Sequence, residues 1–68
     1  MRTTHDREVD AAYVYIRHKI PPGGTARSRS IRTQSGDITL DFDKDGCLIG
    51  VELIPASKLL PKELRRKK

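Results

Sequence analysis

The stretch ITLDFDKDGCLIGVELIPAS, Ile38 to Ser57, decides the fold. Two alternating apolar runs flank an acidic tetrad closed by glycine, Asp43-Lys44-Asp45-Gly46. Ile38, Leu40 and Phe42 fall on one side of the first run, and Ile49, Val51 and Leu53 on one side of the second. Side chains along a strand alternate between the two faces of a sheet, so this spacing predicts two half-buried strands. Asp and Gly between them favour a tight reversal, and the whole reads as a β-hairpin.

Toward the N-terminus, Ser35-Gly36 turns the chain into that hairpin, and Ala26 to Gln34 alternates like an exposed strand. Arg27, Arg29 and Ile31 lie on one side of it, Ser28, Ser30 and Arg32 on the other. Charges placed this way suit a sheet edge, where they discourage edge-to-edge association. Pro21-Pro22-Gly23-Gly24 removes two backbone donors and then supplies two permissive residues, so Arg17 to Thr25 is a loop. Val9 to Ile16 reads as a strand on its Tyr-Val-Tyr-Ile run, in preference to a helix over Glu8 to Arg17. Tyr13 and Tyr15 point one way along it, Val14 and Ile16 the other. Residues 1–8 read as a frayed lead-in.

Toward the C-terminus, Pro55 ends the last strand, Pro61 suits the first position of a helix, and Leu59, Leu60 and Leu64 give that segment an apolar side. The expectation is an α+β domain. Its small antiparallel sheet has about four strands, near 10–16, 26–34, 38–43 and 47–54, in a meander with a central hairpin, and one short helix follows near 57–66. Residues 1–60 form a single domain and 61–68 a basic helix end and tail.

The run Asp41-Phe42-Asp43-Lys44-Asp45-Gly46-Cys47-Leu48-Ile49-Gly50-Val51-Glu52-Leu53 resembles the Asp-Tyr-Asp-x-Asp-Gly-x-Leu-Val-Gly-Ile-Glu-Ile signature of domain of unknown function 2283, and Ala56-Ser57 matches its trailing Ala-Ser. Asp6, Glu8, Asp10, Ala11 and Tyr13 fit the opening pattern of the same family, with His5 where the family usually has Tyr. The likeness spans most of the chain, departs in the basic stretch from Arg17 to Arg32, and leaves the Lys/Arg tail after Leu60 outside. It implies a small bacterial or phage α+β domain of unassigned activity, some members being suspected companions of a small toxin. It supplies no catalytic residues.

At 68 residues the chain makes one domain, and folding at this size buries only about 60% of the surface the unfolded chain exposes. A single cysteine permits no intrachain disulfide, and Cys47, His5 and His18 lack the paired spacing of a zinc site, which leaves oligomerisation as the staple. One free thiol points to a reducing compartment, and no apolar run or leader is long enough for a membrane span or a secretory signal, so the expected location is the cytoplasm. The net charge of +5 sits at the end of the chain. Residues 1–57 balance eight Lys/Arg against eight Asp/Glu, while Lys58, Lys62, Arg65, Arg66, Lys67 and Lys68 against Glu63 carry the whole excess.

Asp41, Asp43, Asp45, Gly46 and Glu52 satisfy the EF-hand loop expression, but alternation on both sides replaces the helices such a loop needs. Asp6, Glu8 and Asp10, with Asp41 and Asp43, could gather as a carboxylate cluster; the plainer reading is a polar sheet face neutralised by Arg7 or Arg17. Ser28, Ser30, Ser35 and Ser57 have no evident His and orienting acid, and His5 and His18 fall in segments expected to be mobile, so no enzyme and no cofactor or metal site is expected.

Arg27, Arg29 and Arg32, together with Lys62, Arg65, Arg66, Lys67 and Lys68, could grip phosphates, although a solvated edge and a solubilising tail account for them as well. Tyr13, Tyr15, Leu48 and Ile54 form the expected partner or dimer face, because one short helix cannot cover both sides of the sheet. The leading expectation is a non-catalytic protein-interaction module, a homodimer or a regulatory or antitoxin-like companion of another small protein. Nucleic-acid binding through the basic loop and tail is the alternative.

Overall fold

The computed structural model describes residues 1–65. Five strands make one antiparallel sheet: β1 (Arg2–Asp6), β2 (Ala11–Tyr15), β3 (Arg27–Thr33), β4 (Gly36–Phe42) and β5 (Leu48–Ile54), in the order β1-β2-β5-β4-β3. The α+β class and four of the expected strands hold, each within two residues of its expected bounds. The lead-in reading of residues 1–8 is corrected, since Arg2–Asp6 pairs along its length with β2. The chain is accordingly a hairpin (β1–β2) joined to a meander (β3–β4–β5), with β2 set beside β5.

The β4–β5 reversal is built as its sequence suggests. Asp43 accepts the Gly46 N–H at its carbonyl (3.0 Å), and Gly46 takes a φ of +85°, a left-handed conformation that glycine adopts without a Cβ penalty. The Asp43 carboxylate accepts the N–H groups of Asp45 and Cys47, both at 2.9 Å. Those bonds and the Arg17 guanidinium at 2.7 Å hold its acid well below the usual carboxylate range, the Cys47 N–H contributing most. One bulge interrupts the β4–β5 ladder, where Asp41 opposes Gly50 but Phe42 opposes Leu48.

Beyond β5 the helical part is two short turns rather than one helix: α1 (Ala56–Leu59) and α2 (Lys62–Arg65), separated by Leu60-Pro61. Proline lacks the N–H needed to carry α1 onward, so the break falls there. Ala56 and Leu60 are buried with Ala12, and Leu53 packs against them. Since Ala12 pairs with Leu53 across β2 and β5, α1 and Leu60 belong to the face carrying Ala12, Val14, Val51, Leu53, Leu40 and Ile38. Ile49 is 1% exposed, and its burial is worth about 1.5–3 kcal/mol. Ile16, expected as the last residue of its strand, lies past the end of β2 and is exposed. Among the described residues no helix is long and apolar enough to cross a membrane.

Candidate interaction face

The opposite face of the sheet carries Tyr13 and Tyr15 from β2, Gly50 and Glu52 from β5, and Thr39 and Asp41 from β4. A row of contacts crosses it from edge to edge. The Arg2 guanidinium carbon lies 3.9 Å from the centre of the Tyr15 ring, and Arg2 also donates to the His18 carbonyl. Tyr15 meets Tyr13 edge to face, with ring centroids 4.7 Å apart. The Tyr13 ring then crosses β5 above Gly50 and donates its hydroxyl to Asp41 Oδ2 at 2.7 Å, while Ser28 of β3 donates to Asp41 Oδ1, also at 2.7 Å.

Glycine at position 50 is what lets the ring lie flat, because a Cβ there would overlap the Tyr13 hydroxyl and ring carbons. Burial of the phenol raises its pKa far above the ordinary 10.0, and the Asp41 carboxylate raises it further. Tyr13 is therefore a neutral donor locked in place, and with Arg2 and Tyr15 it gives the face a rigid aromatic floor.

Of the four residues expected to form one patch, the structure brings Tyr13 and Tyr15 together. Leu48 and Ile54 stand at the two ends of β5, 36% and 40% exposed, so roughly 20 Å of strand separates them and they flank the tyrosines rather than extend them. The basic residues divide as well. Arg27 and Arg29 pair with Phe42 and Leu40 and so sit on the helix side, whereas Arg32 shares the tyrosine face and pairs with Asp37 at 3.2 Å. Lys62 lies in α2, whose Glu63 and Leu64 line a hollow with Met1, Arg2 and Thr3 beside β1. Since β1 and β3 are opposite edges, about 19 Å apart across four strand spacings, Arg27 and Arg29 lie at the far side of the sheet from that hollow. Arg65 ends α2; Arg66, Lys67 and Lys68 lie outside the described residues.

One constellation escaped sequence reasoning, and it corrects the reading of His5 as part of a mobile lead-in with no link to Ser57. His5 belongs to β1, its side chain 13% exposed, and its Nε2 lies 3.2 Å from Asp10 Oδ1. Asp10, at a φ of +53°, also accepts the Ser57 N–H (3.1 Å) and hydroxyl (2.5 Å), and its carbonyl accepts the Ala56 N–H (2.7 Å). The Ser57 hydroxyl and the His5 ring together hold the Asp10 acid below its usual value, Ser57 contributing most. Asp10 stands between Ser57 and His5, so the ring is bonded to the carboxylate and not to the hydroxyl it would have to deprotonate; this is a clamp and not a nucleophile with its base. Asp10 and Ser57 were both visible as matching residues in the family likeness, but 47 positions of separation gave no hint that they touch.

Asp6 accepts the Glu8 N–H at 3.0 Å, and among the described residues no group of three or more His, Cys, Asp or Glu is arranged to hold a metal ion. The family model described as "Protein of unknown function (DUF2283)" matches residues 2–57.

The chain belongs to this family.

Neither a curated protein nor a solved structure matches it. The residues that carry the likeness to DUF2283 coincide with the contacts just described. Asp10 and Ser57 form the clamp, Tyr13, Asp41 and Gly50 the crossing of the sheet, and Asp43 and Gly46 the turn.

Proposed function

We propose that the chain is a non-catalytic protein-interaction module whose tyrosine-bearing sheet face is occupied by a second copy of itself. One observation supports this above the others: α1 packs on one side of the sheet, while the Arg2–Tyr15–Tyr13 row on the other, bordered by Lys19, Ile20 and Pro21 of the β2–β3 loop, leaves both tyrosines half-exposed. Tyr and Arg are the residue types on which interfaces concentrate their binding energy, and rings already held by stacking lose little entropy on docking. The buried apolar set is small (Ala12, Ile49, Ala56 and Leu60), so a domain of this size gains from a second copy, and a two-fold pairing requires only one self-complementary patch. The regulatory or antitoxin-like companionship suggested by the family likeness would use the same face, with a different protein in the place of the second copy.

Isotope-filtered NMR on a mixture of labelled and unlabelled chains tests the reading. Intermolecular contacts to the Tyr13 and Tyr15 rings are expected. Their absence at millimolar concentration would refute self-association through this face.

A further inference from the structure

We propose that the outer edge of β3 is a docking edge for an extended acidic peptide segment, added to the sheet as a sixth strand. This rests on the edge and not on the tyrosine face, so the two readings stand or fall separately. β3 closes the strand order and spans seven residues, of which Arg27 to Arg32 are all exposed. On the outer side of such a strand, alternate N–H and C=O groups point away from the sheet with no ladder partner, ready for a further strand.

The charge along this edge selects the occupant. Arg27 and Arg29 project on the helix side of the sheet, and neither has an acidic partner among the described residues. Ile31 continues the same row and is 43% exposed. On the other side Ser28 and Ser30 are already bonded to Asp41 and Thr39, and Arg32 to Asp37. The edge therefore presents, on one face only, two unpaired guanidiniums two residues apart followed by an apolar side chain. A strand running antiparallel to β3 complements it with an apolar residue, any small residue, an acid, a small residue and a second acid. A second β3 is a poor occupant, since it would crowd four unpaired guanidiniums onto one face. The arginines thus turn away copies of the chain while favouring an acidic strand.

The probe is a fluorescent peptide, Thr-Ile-Thr-Glu-Thr-Glu-Thr, read by anisotropy at low salt against the full chain. Saturable binding is expected, accompanied by slowed amide exchange in β3. Replacing both Glu by Lys, or N-methylating alternate backbone nitrogens, should abolish it. Arg27→Ser and Arg29→Ser should each weaken it roughly two- to fivefold. Three results would overturn the proposal: no saturable binding, binding indifferent to N-methylation, or displacement by an equally charged oligonucleotide that itself binds more tightly with the same arginine dependence. The peptide variants are read on the unaltered protein, so a misfolded arginine variant leaves the test intact.

Discussion

At the level of single residues, the contact between Tyr13 and Gly50 is the most demanding. Gly50→Ala places a methyl where the Tyr13 ring lies, so the ring must lift and give up Asp41. The expected cost is about 1–3 kcal/mol, the usual penalty for overpacking, and it is measurable by urea denaturation. The raised Tyr13 pKa carries a second expectation. A tyrosine whose neutral form is favoured by folding stabilises the protein fully below its unfolded value, and that contribution drains away as pH rises above it. Melting temperature should therefore fall above pH 10.0, and Tyr13→Phe, though less stable at neutral pH, should show a shallower fall. Asp10 and Asp43 act at the other end of the scale. Their folded pKa values are depressed, so the stability they confer is present above the ordinary value of 3.8 and is lost as pH drops below it. Thermal melts between pH 5 and pH 2.5 should show a weaker acid dependence for Asp10→Asn than for the parent chain. None of these pairings was legible beforehand, because Tyr13–Asp41 and Asp10–Ser57 join residues 28 and 47 positions apart and alternation reports which face a side chain takes, not its partner.

Among the strands, β2, β4 and β5 were legible from their apolar residues and β3 from its Ser/Arg alternation, whereas β1 has neither signal and was missed. β4 and β5 alternate over seven residues each, and their turn has Asp and Gly where a tight hairpin needs them. β1 is Arg-Thr-Thr-His-Asp, with no apolar residue at all; it is a strand because β2 offers it a ladder, a tertiary cause to which local pattern is blind. The two-turn helical segment has a similar explanation. Leu59, Leu60 and Leu64 did mark its apolar side, but Pro61 divides the segment, and Leu60 is buried while Leu64 stays 45% exposed. What ties α1 to the sheet is largely Asp10, which holds the backbone N–H groups of both Ala56 and Ser57. Asp10→Ala removes the carboxylate and keeps the carbonyl, so it should speed amide exchange at Ser57 by roughly tenfold, with a smaller effect at Ala56 and the β4–β5 hairpin nearly unchanged. Equal acceleration in both elements would mean that the clamp supports the whole fold and not the helix alone.

For the molecule as a whole, the asymmetry between its two surfaces is the central feature. One face of the sheet is covered by α1 and Leu60, and the other carries the Arg2–Tyr15–Tyr13 row, bordered by Ile20 of the β2–β3 loop and half-exposed at both tyrosines. The sequence indicated that one short helix cannot cover both faces, and the structure agrees. It did not indicate that the second face is largely polar, because Leu48 and Ile54 lie at opposite ends of β5 and leave its middle to the tyrosines. The proposed pairing through that face would rest on stacking and hydrogen bonding more than on apolar burial. Sedimentation equilibrium on the full chain and on Tyr15→Glu tests this most directly. A dimer at micromolar concentration is expected for the parent chain, and a folded monomer of lower melting temperature for the variant. A parent chain that stays a well-folded monomer at high concentration would contradict it.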